Sequence, residues 1–279
     1  GDLNVSYLPN SGAEANEGAI KLAYKFHGGK RKHILHSDIS FHGKLLGTGS
    51  LSSSPEVKFK FPGLNCTDEF KWNNIEDLKN VIKKHEKSNN DPDIFAIIIE
   101  PFSASSLLEC SEDFLRELRE ICTRKKIILI FDEIYTGWGK TGEFFYFMKY
   151  NNLIPDVLTM SKSFGGGKSS ISCFTTTNEI FNRAYGKIQD STIHSTTYNA
   201  FGEEAVTAIE AVNIAVEDKY PEKAKEIGNL IKTNLYDLKN KYPNQIKEIR
   251  GTGCLQGIIF YSGPEIIKKI ITLIPSELT

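Results

Sequence analysis

Two hydrophobic periods alternate along this chain. Ile94 to Ile99 and Ile127 to Phe131 are unbroken apolar runs of strand length, the pattern of strands covered on both faces. Val5 to Leu8, Ile34-Leu35 and Val157 to Met160 predict shorter strands. Between them Ala15, Ala19, Leu22, Ala23 and Phe26 recur at helical spacing. That helix opens on Ser11-Gly12-Ala13-Glu14, a capping box with Ser11 at the N-cap and Glu14 at N3, and stops at Gly28-Gly29. Charged amphipathic helices are predicted over 75–87 and 111–125. In 55–63, Val57, Phe59 and Phe61 alternate with lysines, which predicts a strand with one solvated face. An Ala-rich helix over 200–217 and a charged one over 221–240 follow. Ile246 to Ile249 and Leu255 to Phe260 predict strands on either side of Arg250-Gly251-Thr252-Gly253.

Strand and helix in alternation imply an α/β fold: a mostly parallel sheet with helices on both faces, three layers in all. The change of pattern near residue 218 predicts a large domain over 1–217 and the start of a small α+β C-terminal domain over 218–279. Ligands of such sheets bind beyond the carboxyl ends of the strands. Asp132 and Lys162 both stand at such ends.

A formal net charge of −1 gives no electrostatic reason to expect nucleic acid or an anionic membrane as partner. The basic run Lys30-Arg31-Lys32-His33 follows two glycines and reads as a solvated turn. No apolar run is long enough to span a bilayer, and no secretory signal is visible. The five cysteines have long, irregular spacings without a metal-ligand pattern, so no metal is expected. Free thiols in a reducing compartment, the cytoplasm, are the expectation. The chain begins at Gly1 close to a strand, which suggests a piece of a longer protein.

The chemistry concentrates at Lys162, in Ser161-Lys162-Ser163-Phe164 before three glycines and thirty positions after Asp132. A lysine amine condenses with an aldehyde to give a Schiff base. A carboxylate can hold a pyridine nitrogen protonated, so that the ring draws electrons. The helix start at Ser11, with Gly12 behind it, can receive an anion. Phe41 in Phe41-His42-Gly43 can stack on a flat ring. Each feature alone has an ordinary reading as solvated loop, cap or core aromatic. Gly165-Gly166-Gly167-Lys168-Ser169 is not a nucleotide loop, because the required earlier glycine position holds Lys162.

The features also come in a recognisable order. Asn10-Ser11-Gly12-Ala13-Glu14-Ala15-Asn16-Glu17 precedes Phe41-His42-Gly43 and then Glu100-Pro101. Asp132-Glu133-Ile134-Tyr135-Thr136-Gly137-Trp138-Gly139-Lys140-Thr141-Gly142, Ser161-Lys162, Thr196-Thr197-Tyr198 and Arg250-Gly251-Thr252-Gly253 follow. From about residue 6 to residue 260 the chain resembles the class III aminotransferases, pyridoxal 5'-phosphate enzymes of fold type I.

The resemblance implies that Lys162 is the Schiff-base lysine and Asp132 the partner of the pyridine nitrogen. It implies a phosphate cradle of Ser11, Gly12 and Ala13, with Phe41 stacked on the ring and His42 beside it. Glu100 matches an acid near the site. Tyr135 stands where many members carry glutamine near the phenolic oxygen. Thr197 matches a threonine that reaches the neighbouring subunit's phosphate, which implies a homodimer with shared active sites. The implied activity moves an amino group from an amine or amino acid donor to a 2-oxo acid or aldehyde. An aminomutase, a racemase or a decarboxylase on the same fold, or a non-catalytic homologue acting as an assembly partner, are the alternatives. Phe102-Ser103-Ala104-Ser105 replaces the usual Gln-Gly-Glu after Glu100-Pro101, and Lys168-Ser169-Ser170 replaces an apolar-Pro stretch. These departures bear on the substrate pocket. The family's N-terminal pocket segment and its C-terminal, arginine-bearing region have no counterpart in the sequence.

Overall fold

The two longest apolar runs lie side by side at the centre of a seven-stranded sheet, because only there are both faces of a strand dry. A computed structural model describes residues 2–87 and 91–261. The elements run β1 (Val5–Tyr7), α1 (Gly12–Phe26), β2 (His33–Ser37), α2 (Leu46–Ser50), α3 (Pro55–Lys58), β3 (Thr67–Phe70), α4 (Ile75–Lys84), β4 (Ile94–Ile99) and α5 (Glu112–Lys125). They continue with β5 (Ile128–Asp132), β6 (Val157–Met160), β7 (Cys173–Thr176), α6 (Asn178–Tyr185), α7 (Gly202–Glu217), α8 (Tyr220–Lys241), β8 (Ile246–Thr252) and β9 (Leu255–Phe260).

The strand order is β1-β7-β6-β5-β4-β2-β3. Strands β3, β2, β4, β5 and β6 are mutually parallel, and β7 is antiparallel to both of its neighbours. Side chains alternate between two apolar layers, as the period of a strand demands. Ile97, Ile99, Leu129, Phe131 and Leu158 face one layer, covered by Leu78 and Ile82 of α4 and by Phe114, Leu118 and Ile121 of α5. Ala96, Ile98, Ile128, Ile130 and Val157 face the other, covered by Ala19, Leu22 and Ala23 of α1 and by Ile180 and Ala184 of α6. The expected α/β architecture with helices on both faces is present. Strands β8 and β9 form a separate antiparallel pair against α8. Residues 262–279 of the expected C-terminal domain lie outside the described residues.

The expected strand over 55–63 is absent. Pro55 starts a single helical turn, and Phe59 turns the chain back with φ of 40°. Phe59 and Phe61 are 70% and 61% exposed, since the place beside β2 is taken by β3. Sequence Thr67-Asp68-Glu69-Phe70 is polar, and that edge strand was not legible from it. Strand β7 and helix α6 were likewise not anticipated. Helix α4 ends at Lys84, short of the expected 87. All five cysteines are free thiols. Among the described residues no helix is long and apolar enough to cross a membrane.

Candidate active site

Asp132 is the last residue of β5, and its carboxylate is nearly completely buried. Buried Asn16 of α1 donates from Nδ2 to Asp132 Oδ2 at 2.7 Å. His42, also buried, places Nδ1 2.8 Å from the same oxygen. A carboxylate only accepts, so His42 carries its proton on Nδ1. The Ile134 backbone N–H donates to Asp132 Oδ1 at 3.0 Å. Asn16 also donates to the His42 carbonyl at 2.9 Å, which ties α1 to the loop after β2.

Glu100 follows β4 and is buried beside this cluster. It accepts from the Phe41 and Ala104 backbone N–H groups, both at 3.0 Å. Burial pushes its carboxyl up to about 7; His42 opposes the shift and the Asp132 charge adds to it. Burial, and then the field of His42, lowers His36 to about 4.

Lys162 opens a short turn, Lys162–Gly165, directly after β6. Its backbone has φ of 48°, the left-handed region that a non-glycine residue occupies at a cost of about 1–3 kcal/mol. Such strain collects at functional positions because the surrounding fold over-determines it. The Lys162 side chain is exposed, with Nζ 5.5 Å from the centre of the Tyr135 ring.

The N-terminus of α1 abuts the segment after Asp132. A Cβ on Gly12 would lie 2.9 Å from the Ile134 side chain, so only glycine permits this approach. Ser11 accepts from the Glu14 N–H and Glu14 from the Ser11 N–H, the expected capping box. That leaves the Gly12 and Ala13 N–H groups without intrahelical partners, at the positive end of the helix.

Gly12, Ala13, Phe41, His42, Glu100, Asp132, Tyr135 and Lys162 line a single cavity of about 290 Å³. Eight of the ten residues singled out in the sequence therefore meet at one place. The other two do not line it. Ser11 caps α1 from outside, and exposed Thr197 lies in the loop that leads into α7. Lys162 also borders a larger cavity of about 1020 Å³, formed between its turn and α7.

Sequence reasoning missed three residues. Asn16 lay within a quoted motif but had no role; its signal was a polar residue inside the apolar stripe of α1. Fully buried Glu133 accepts from Thr136 Oγ1 at 2.9 Å and from the Tyr146 and Phe147 N–H groups at 2.6 and 2.9 Å. Burial pushes its carboxyl up to about 7 against those donors. Lys140 Nζ donates to the Gly137 carbonyl at 2.6 Å and to Ser163 Oγ at 2.9 Å. Burial first, and then the Lys162 charge, lowers the Lys140 amine to about 8. Trp138 stacks on Phe164 with ring centres 4.9 Å apart. The segment after Asp132 is thus folded upon itself by Glu133 and held against the Lys162 turn by Lys140 and Trp138.

The sequence matches the family model described as aminotransferase class-III over residues 3–274. The chain belongs to the class III aminotransferase family. Pyridoxal phosphate is the cofactor of this family. Among curated proteins, an uncharacterized aminotransferase of Schizosaccharomyces pombe is 29% identical over 272 residues, which are 96% of this chain and 54% of that protein. The chain therefore spans about half the length of that relative. A transaminase from the marine bacterium Virgibacillus has the same fold, with a TM-score of 0.86 and 24% identity over 95% of this chain and 61% of its own. The ornithine aminotransferase of Toxoplasma gondii aligns with a TM-score of 0.84 and 23% identity, over 93% of this chain and 61% of that one. These neighbours share the fold of this chain, the fold type I architecture.

Proposed function

We propose that this chain carries the cofactor site of a pyridoxal phosphate-dependent aminotransferase, with Lys162 and Asp132 as its catalytic residues. The observation that carries the reading is that one cavity holds the strained Lys162, the carboxylate of Asp132 and the open N-terminus of α1. The residues fit the group. Lys162 offers an amine to the aldehyde carbon. Asp132 uses three of roughly four acceptor positions on Asn16, His42 and Ile134, which leaves one for a ring N–H. The Gly12 and Ala13 N–H groups suit a phosphate, and Gly12 keeps the approach clear of side chains. Phe41 and Tyr135 supply aromatic surface for a flat ring.

When bound, the cofactor supplies an electron sink for the carbon that bears the substrate amine. The protein's part is to hold charge and move protons. Asp132 would hold the ring nitrogen as a cation, and hydrogen bonds from His42 and Asn16 orient its carboxylate. Lys162 Nζ removes a proton from the amine-bearing carbon and returns one in the reverse direction. Glu100 positions Phe41 through its backbone N–H.

The donor is an amine or amino acid and the acceptor a 2-oxo acid or aldehyde. The active unit is a homodimer in which Thr197 completes the neighbour's phosphate site. Val206, Ile209 and Val216 of α7 are 66%, 61% and 54% exposed, a stripe that a second copy would cover.

The deciding experiment gives the cofactor-loaded protein a panel of amine donors with a 2-oxo acid and measures the new amino acid. Net transfer is expected. Racemised, rearranged or decarboxylated donor without transfer would replace this reading with another reaction on the same scaffold.

A further inference from the structure

The opposite end of the sheet gathers a second group of polar side chains, which the site around Lys162 does not use. His33 is the first residue of β2, Asp68 the second of β3, and His85 caps the C-terminus of α4. The two-residue period of a strand places His33 on the face of Leu35 and Asp68 on the face of Phe70. Leu35 and Phe70 belong to the apolar layer under α4, with Leu78 and Ile82. The three polar groups therefore sit at the rim of that layer, where α4 ends.

Their geometry is close. Asp68 Oδ2 lies 3.2 Å from His33 Nδ1 and 3.1 Å from His85 Nε2. All three ligand atoms fall within 4.8 Å of one another. The imidazole rings lie face to face, with centres 3.9 Å apart and planes 33° apart. His33 donates from Nδ1 in line with Asp68 Oδ2, but His85 makes no such bond. Its Nε2 is buried and forms no hydrogen bond, although the carboxylate is near. A hydrogen-bonded trio leaves this nitrogen unexplained, whereas an ion between the three groups would take its electron pair. Both histidines are braced through one residue: the His33 N–H donates to the Asp93 carbonyl at 2.9 Å, and the Asp93 N–H to the His85 carbonyl at 2.8 Å.

Ligand chemistry narrows the ion. In a tetrahedral zinc site, nitrogen and oxygen ligands at about 2.0–2.1 Å stand roughly 3.4 Å apart. The two separations from Asp68 are near that value. Two imidazoles and one carboxylate suit a borderline divalent transition cation, while calcium and magnesium prefer oxygen alone. Asp68 is 36% exposed and His33 24%, so a water can complete the coordination from outside. Among the described residues this is the only group of three such side chains close enough to share an ion.

We propose that His33, Asp68 and His85 bind one divalent transition cation of the zinc class, which ties the end of α4 to the edge strands β2 and β3. The ion binds the folded chain and not the scattered ligands of the unfolded one, so it raises thermal stability. The site lies at the far end of the strands from Lys162 and is independent of the reaction proposed above.

The test titrates zinc chloride alone into the metal-stripped protein, by calorimetry and by metal analysis after dialysis. One equivalent is expected, with a higher thermal midpoint. Asp68→Asn and His85→Gln each remove a direct ligand, so each should weaken uptake by at least about 10-fold, the lower effect of losing an outer partner. Cobalt substituted for zinc should give a visible ligand-field spectrum without sulfur charge-transfer bands, lost in His85→Gln. The cobalt spectrum of the unaltered protein decides the matter even where a variant fails to fold. Absence of uptake, uptake unchanged in folded variants, or a sulfur-ligated spectrum would overturn the proposal.

Discussion

His42 Nδ1 and Asp132 Oδ2 lie 2.8 Å apart in the dry interior, although ninety residues separate them in the chain. The carboxylate also takes Asn16 of α1 at 2.7 Å, so three elements converge on one charge. Asp132→Ala should therefore do two things. It strips the proposed ring partner, so turnover should be largely abolished. It also leaves buried donors on Asn16 and His42 unpaired, at a cost of about 1–3 kcal/mol in stability. Asn16→Ala should share part of the second effect and little of the first. Assays of turnover beside denaturant unfolding separate them, and near-normal activity in Asp132→Ala would remove Asp132 from the reaction.

Lys162 is the lysine that faces the cavity with Asp132. Borohydride reduction of the cofactor-loaded protein, followed by peptide mapping, should place the pyridoxyl label on Lys162. A label found mainly on Lys140 or Lys168 would contradict the assignment. Lys162→Ala should bind cofactor only reversibly and show no transfer.

Glu133 makes stability depend on pH. Burial raises its folded carboxyl from about 4.5 to about 7. The folded state therefore binds the proton more tightly than the unfolded chain does. The stability so gained is full below pH about 4.5 and is lost as pH rises through about 7. Glu133→Gln should flatten this dependence, whose total is at most about 3 kcal/mol. Urea midpoints measured at intervals from pH 4.5 to 7.5 would show it. Parallel curves for the two proteins would mean that Glu133 does not take up the proton.

Thr197 bears on assembly. It does not line its own chain's cavity, and it precedes the exposed apolar stripe of α7. Sedimentation should show a dimer, and cofactor affinity should fall on dilution into monomers. Thr197→Ala should weaken cofactor binding without loss of fold. A monomer that holds the cofactor equally well at every dilution, with or without Thr197, would rule out a shared site.

The sequence by itself determined the local and the periodic. Continuous apolar runs specified β4 and β5 as buried parallel strands, the capping box specified the start of α1, and a glycine-flanked lysine thirty residues after an acid pointed to Lys162 and Asp132. These signals are written in neighbouring residues, so they survive without the fold. Pairing decided the rest. Polar Thr67–Phe70 became a strand because β2 offered an open edge, while the apolar alternation over 55–63 found no partner and stayed a turn. Asn16 acquired its role because α1 crosses the end of β5. His33, Asp68 and His85 are 35 and 17 residues apart, a spacing with no metal pattern, and meet only because β2, β3 and α4 share one rim. Hydrophobic periodicity says which face of an element is dry. It does not say which element lies opposite, and a charge buried among three elements depends on that choice.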